Sequence, residues 1–194
     1  DQGAYTDDDN AYIDFNRQLL NYSASYQATD HLNLRYKGGY STSDRDFVND
    51  SSVVNTQGTY DHTFTESHGD GKLWENEITA TFKRSPFTVI GGVNRSIQTM
   101  NFRTFTHVSS FNYKNRTNLD SLDLQETINS AFALTKFNGG LVSPALDSFT
   151  LSLGGRLANH NTFGNHVTYE VNPSYHISSS STLYGSIASG FNAP

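Results

Sequence analysis

From Asn165 to Pro194 the chain reads NHVTYEVNPSYHISSSSTLYGSIASGFNAP, and two kinds of side chain alternate along it. Val167, Tyr169, Val171, Pro173, Tyr175 and Ile177 fall on one parity; His166, Thr168, Glu170, Asn172, Ser174 and His176 fall on the other. Successive side chains of a strand point to opposite faces, so this period marks a strand with one oily and one polar face. A helix cannot use it, because helical apolar positions recur about every 3.6 residues. The polar tract Ser178–Ser181 reads as a turn. The alternation then resumes with Leu183, Gly185, Ile187 and Phe191 against Thr182, Tyr184, Ser186 and Ala188. The stretch is a hairpin, and the question is which face meets water.

The same pattern recurs upstream. Leu20, Tyr22, Ala24, Tyr26 and Ala28 alternate with Asn21, Ser23, Ser25 and Gln27. After the turn Thr29-Asp30-His31, the residues Leu32, Leu34, Tyr36, Gly38 and Tyr40 alternate with Asn33, Arg35, Lys37, Gly39 and Ser41. Trp74, Ile78, Ala80 and Phe82 oppose Glu75, Glu77, Thr79 and Lys83. Past the turn at Ser85-Pro86, the residues Phe87, Val89, Gly91, Val93 and Ile97 oppose Thr88, Gly92, Asn94 and Ser96, with Ile90 an inward exception. Leu124, Ile128, Phe132 and Leu134 oppose Gln125, Thr127, Asn129, Ala131 and Thr135, which predicts an apolar face carrying Phe132. Phe149, Leu151, Leu153 and Leu157 oppose Thr150, Ser152, Gly154 and Arg156. Residues 44–72 and 102–121 break the alternation and are predicted as long loops.

The expectation is an all-β chain, an antiparallel meander of about eight strands. Connections are short near Asp30, Ser85, Pro144 and 178–181, long at 44–72 and 102–121, and moderate at 160–164. Short connections on one rim and long ones on the other are the layout of a transmembrane β-barrel. Several strands are longer than a globular sheet uses, and aromatic residues recur near strand ends as interfacial girdles do. Arg35 and Lys37 on the polar face mean that this face is wet. The apolar face is therefore assigned to lipid. Residues 1–194 are expected to form one β-barrel segment, cut at both ends out of a larger barrel.

Composition agrees. Hydrophobic residues make up 35%, below the roughly 45–50% of soluble domains, a range that also counts Gly. With 11 Tyr, 13 Phe and only 16% charged residues the chain is not of the disordered class. A net charge of −6 without a basic run excludes nucleic acid as partner. The absence of cysteine excludes disulfides and thiolate metal sites. No apolar run approaches the roughly 20 residues of a membrane helix, which leaves strands as the way across.

The run LSLGGRLANHNTFGNHVTYEVNPSYHISSSSTLYGSIASGFNAP carries a Gly155-Arg156 step, a Phe163-Gly164 closure and the ending Gly190-Phe191-Asn192-Ala193-Pro194. It resembles the mid-barrel signature of TonB-dependent outer-membrane transporters. TDDDNAYIDFNRQLLNYSASYQATDHLNLRYKGGYSTSDRDF and KLWENEITATFKRSPFTVIGGVNRSIQTMNF are similar to the barrel of the members that import vitamin B12 (cobalamin). The resemblance covers nearly the whole chain and implies part of an about 22-stranded barrel. The family's plug domain, through which TonB acts, and its C-terminal strands have no counterpart here. The segment between Asp44 and Lys72 departs from the pattern by about one missing hairpin.

That resemblance implies a large ligand, cobalamin or else a ferric siderophore, outer-membrane lipid around the wall, and a monomer in the bacterial outer membrane. It also implies Ca²⁺ held by Asp7, Asp9, Tyr60 and Asp61, hard oxygen donors arriving from neighbouring loops. For an anionic siderophore the only outer cations are Arg103, Lys114 and Arg116. The seven histidines show no His-x-x-x-His spacing, so no zinc site is expected. His160 and His166 flank one loop and read as polar loop residues. Glu75 and Glu77 read as lumen charges. No Gly-x-Ser-x-Gly elbow, phosphate loop or GxGxxG occurs, and no catalysis is expected. The alternatives are a small outer-membrane barrel or adhesin without transport, and a soluble β-sandwich.

Overall fold

The computed structural model describes residues 10–53 and 62–191. Ten strands form one sheet: β1 (Ala11–Gln27), β2 (Leu32–Asp50), β3 (Thr63–Arg84), β4 (Phe87–Val108), β5 (Tyr113–Asn118), β6 (Gln125–Asn138), β7 (Phe149–His160), β8 (Gly164–Ser178), β9 (Ser181–Tyr184) and β10 (Ile187–Ala188). Their order is β1-β2-β3-β4-β6-β7-β8-β10, with β5 on β4 and β9 on β8. β5 and β6 are two parts of one pass along β4, parted by a 3-10 turn at Asp120–Leu122. β9 and β10 likewise share β8. The all-β antiparallel meander and its about eight passes are as the alternation predicts. No helix among the described residues is long and apolar enough to cross a membrane, which says nothing of strands.

Three expectations are corrected. Residues 44–72 are not mainly loop: β2 runs on to Asp50 and β3 begins at Thr63. Residues 102–121 are not loop either, since β4 extends to Val108 and β5 returns along it. The described parts of both segments carry charge or hydroxyls on both faces, so they lack hydrophobic contrast while keeping strand backbone. The third correction concerns β6. The ladder sets Phe132 against Arg156, Leu134 against Gly154, Ala131 against Leu157 and Thr135 against Leu153. Directly opposite residues share a face. Ile128, Phe132 and Leu134 therefore lie on the polar side, and Ala131 and Ala133 on the apolar side.

The connection 139–148 contains two 3-10 turns, Gly139–Leu141 and Pro144–Leu146. It is longer than the turn Asn161–Phe163 on the opposite rim, so the alternation of connection lengths is looser than the sequence suggests.

Contacts divide the chain into two compact units. The first comprises the described residues 10–20, 40–53, 62–73 and 98–125; the second comprises 21–39, 74–97 and 126–191.

Burial is inverted relative to a water-soluble domain. Among the described residues no hydrophobic side chain is buried, and the buried polar ones are Asn94, Ser130, Thr150 and His160. In the second unit Leu153 stands opposite Val171, Leu157 opposite Val167, and Phe149 opposite Tyr175, forming a continuous apolar face. That face is open: Leu157 is 52% exposed and Val167 73%. The other face is bonded. Asn94 Nδ2 donates to Glu75 Oε1 at 3.2 Å, Arg156 Nη2 donates to Ser130 Oγ at 2.8 Å, and Lys37 lies 3.8 Å from Glu77. Asn21, Ser23, Arg35, Lys37, Glu75 and Glu77 line one hollow on it. Glu75 and Glu77 thus sit among polar partners, as read from the sequence.

Candidate functional site

The first unit concentrates charge on one strand face. The β4–β5 hairpin turns at Ser109–Phe111 and is closed by Asn112 in the left-handed region, φ 50°. Asn tolerates that conformation better than most residues. The ladder then places Arg103 against Asn118, Phe105 against Arg116 and His107 against Lys114. The three outer cations of the sequence thus share one face. The Arg116 guanidinium sits 5.4 Å from the centre of the Phe105 ring, within cation–π range. Phe64 packs against the same ring at 6.1 Å.

Beside the hairpin lie acids. A cleft of about 620 Å³ is lined by Arg103, Phe105 and Arg116 together with Asp14, Asp46, Glu66 and His68. His68 is the junction. Its Nδ1 donates to Asp46 Oδ1 at 2.6 Å, and its Nε2 lies 3.6 Å from Asp70 and 4.0 Å from Asp44. Asp70 also accepts from Asn101 Nδ2 at 3.1 Å. The hydrogen bond to Asp46 raises the pKa of His68 above its ordinary value; burial and the Arg103 guanidinium oppose this, and the charges of Asp46 and Asp44 add to it. The cleft as a whole carries both signs of charge, so it does not present the uniformly positive field that would gather an anion.

Asp44, Asp46 and His68 each offer one ligand atom, all within 4.8 Å of one another. Two carboxylates and an imidazole suit a divalent transition metal, which would compete with the proton that His68 shares with Asp46. The expectation of no zinc-type cluster rested on His-x-x-x-His spacing, and this group does not use it. Its one local signal is Asp44-x-Asp46, two acids on one strand face. The histidine comes from the next strand.

Asp7, Asp9, Tyr60 and Asp61 lie outside the described residues. His160 and His166 do flank one turn, but each is engaged there separately. His160 Nδ1 accepts from the backbone N–H groups of Thr162 and Phe163 at 3.0 and 3.2 Å, and its Nε2 is 3.0 Å from Glu126 Oε1. His166 Nε2 donates to the carbonyl of Phe163 at 2.9 Å. Gly164 completes the turn at φ 77°, where a side chain would be strained.

The fold has known counterparts. The copper transporter OprC superposes with a TM-score of 0.65 at 15% identity, over 92% of this chain and 31% of that one. The ferric-catecholate import receptor Fiu from E. coli gives 0.59 at 13%, over 93% and 36%. The ferric citrate transporter FecA gives 0.57 at 14%, over 90% and 27%. At 31%, 36% and 27% coverage the chain spans about a third of these proteins. No curated protein matches in sequence. The family model described as TonB dependent receptor-like, beta-barrel, matches residues 1–194. The chain belongs to this β-barrel family of the bacterial outer membrane.

Proposed function

We propose that the chain is wall of a TonB-dependent transporter that binds and imports a large polar ligand, with cobalamin the ligand its sequence resemblance favours. The observation that carries this reading is the inverted burial. Apolar side chains such as Leu157 and Val167 are open on one face, while Arg35, Lys37, Glu75, Glu77 and Asn94 cluster on the other. A wall of that kind gives lipid an oily surface and a solute a wet, hydrogen-bonding one. TonB would act through the plug domain of the whole protein.

Calcium belongs to this reading. Asp7, Asp9, Tyr60 and Asp61 would supply the oxygen ligands that order the outer loops before cobalamin binds. The test is uptake of labelled cobalamin and of a ferric siderophore by cells making the whole protein, with calorimetry of the purified protein against Ca²⁺. Cobalamin uptake, with Ca²⁺ binding lost in Asp7→Ala, supports the proposal. Siderophore uptake without cobalamin uptake replaces the ligand, and absent Ca²⁺ binding at millimolar levels removes the metal.

A further inference from the structure

We propose that the membrane-facing side of the second unit carries a site for the phosphorylated headgroup of an outer-leaflet lipid, centred on Arg95. The inference rests on the outer-membrane location of the family and not on the imported ligand.

The apolar face changes character over one strand step. Ile78, Val93 and Leu157 are open on it, at 55%, 52% and 52% exposure. Leu157 stands opposite Ala131 and Val167. Two residues along β7, Asn159 stands opposite Asn129 and Asn165. Asn76 and Arg95 stand in the same relation to Ile78 and Val93, two residues further along their strands. These amides, Arg95 and Tyr36 line one cleft of about 470 Å³ with Ile78, Val93 and Leu157. An aliphatic band thus gives way to a row of donors on the same face. The change happens beside the turn Asn161–Phe163, on the rim opposite the tight turns at 28–31, 85–86 and 179–180. In outer-membrane barrels the tight turns face the periplasm, so this row lies at the outer leaflet.

Among the described residues, Arg95 and one amide nitrogen of the row stand out as unpartnered. Arg95 is exposed and forms no hydrogen bond or ion pair among the described residues, and no acid lines its cleft. A guanidinium cannot lose its proton, and against lipid a lone cation is costly, least so at headgroup level. Asn76 is the second. Its Oδ1 accepts from the Tyr22 hydroxyl at 3.0 Å and from the Tyr36 hydroxyl, which fixes the amide. Its Nδ2 is then buried and unpartnered. Gly38 permits this arrangement, since a Cβ there would lie 2.2 Å from the Tyr22 ring.

The missing partner is an anion with several acceptor oxygens. A guanidinium pairs with phosphate through two parallel bonds. Asn159 Nδ2 already donates to Asn165 Oδ1 at 2.8 Å, so the exposed amides of Asn129 and Asn165 are the ones that can donate to the remaining oxygens. Ile78, Val93 and Leu157 at the lower edge fit the start of an acyl chain, which a free phosphate does not have.

The experiment is native mass spectrometry of the full-length protein in detergent, titrated with bisphosphorylated lipid A, with its dephosphorylated form and with inorganic phosphate. One tightly held copy of the phosphorylated lipid is expected. Arg95→Gln should weaken it about tenfold or more, the loss of one charge-assisted pair. Lys136→Gln, on the other face, should not. Dephosphorylation should weaken binding to the parent and leave the variant unchanged. Folding of each variant is checked by heat-modifiable mobility, and Arg95→Lys, which keeps the charge and loses the fork, should bind between the two. Unchanged binding by Arg95→Gln, or equal binding of the dephosphorylated lipid, overturns the site. Inorganic phosphate that displaces the lipid at matching affinity makes it a free-anion site and overturns the headgroup assignment.

Discussion

Phe132 stands opposite Arg156 across the β6–β7 ladder, on the polar face of the sheet. Its ring covers Gly92: a Cβ at that glycine would lie 2.7 Å from the Phe132 ring and 2.6 Å from the carbonyl oxygen of Ile78. The wet face of this wall therefore contains an aromatic ring packed onto backbone. Gly92→Ala should destabilise the whole protein by about 1–3 kcal/mol, the usual range for overpacking a tight site. Phe132→Leu on that background should recover part of the loss, because the contact with the Ile78 carbonyl remains. Thermal unfolding in detergent measures both. Equal stability of Gly92→Ala and parent would show that the ring is not held there.

This pair also marks how far the sequence could be read. Period-two alternation shows that a strand has two faces but not which one is outside. In β7 and β8 the outer face carries Leu153, Leu157, Val171 and Val167, so hydrophobicity points the right way. In β6 the outer face carries Ala131, Ala133 and Thr135 while Phe132 and Leu134 point to the wet side, so hydrophobicity points the wrong way. The outer parts of β2 to β5 have charge or hydroxyls on both faces, for example Asp44 and Asp46 against Ser43 and Arg45. There the alternation has no contrast, although the ladder is intact. The cleft at His68 was illegible for the same reason, because it depends on the register between two strands that looked like loop.

His160 acts as a turn cap. Its Nδ1 accepts from two backbone N–H groups, so the proton of the neutral ring sits on Nε2 and is directed at Glu126. The residue is 5% exposed. His160→Ala leaves those N–H groups without their acceptor and should cost about 1–3 kcal/mol locally. An Asn at 160 can accept from the residues two and three further on in the same way. Hydrogen exchange at Thr162 and Phe163 should therefore accelerate in His160→Ala and return towards the parent rate in His160→Asn. Slow exchange in His160→Ala would mean that Gly164 and the ladder close the turn unaided.

The His68–Asp46 bond should make the first unit pH-sensitive. The folded pKa of His68 is raised, chiefly by that hydrogen bond. A raised histidine contributes its stability in full below the unfolded value of about 6.5 and loses it as pH rises through the folded value. Local protection of the β2 and β3 amides around Asp46 and His68 should thus fall as pH climbs past neutral. Asp46→Asn should bring the titration of His68 back towards the ordinary range and flatten that dependence. An NMR titration of the imidazole reads the first effect and hydrogen exchange the second. The same His68 titration in parent and Asp46→Asn would remove Asp46 as the cause.

The two faces of β7 should respond oppositely to the same new charge. Leu153 stands opposite Thr135 and Val171 on the apolar face, and its neighbour Ser152 stands opposite Lys136 and Asn172 on the polar one. Lysine on the lipid side of a barrel costs about 2–4 kcal/mol at the bilayer midplane and about 0–1 near the interface. Leu153→Lys should fall in the upper range, since Leu151 and Leu157 continue the apolar face on either side of it. Ser152→Lys should cost about 1 kcal/mol or less, as its head enters a wet space, although Lys136 opposite adds repulsion that salt should screen. Equilibrium unfolding of the whole protein from lipid bilayers compares the two on one scale. The contrast has meaning only in a membrane: in a sheet with water on both sides the two lysines would cost nearly the same. Equal costs would therefore contradict the lipid assignment of the Leu153 face, and with it the orientation of every strand whose side is fixed by pairing to β7.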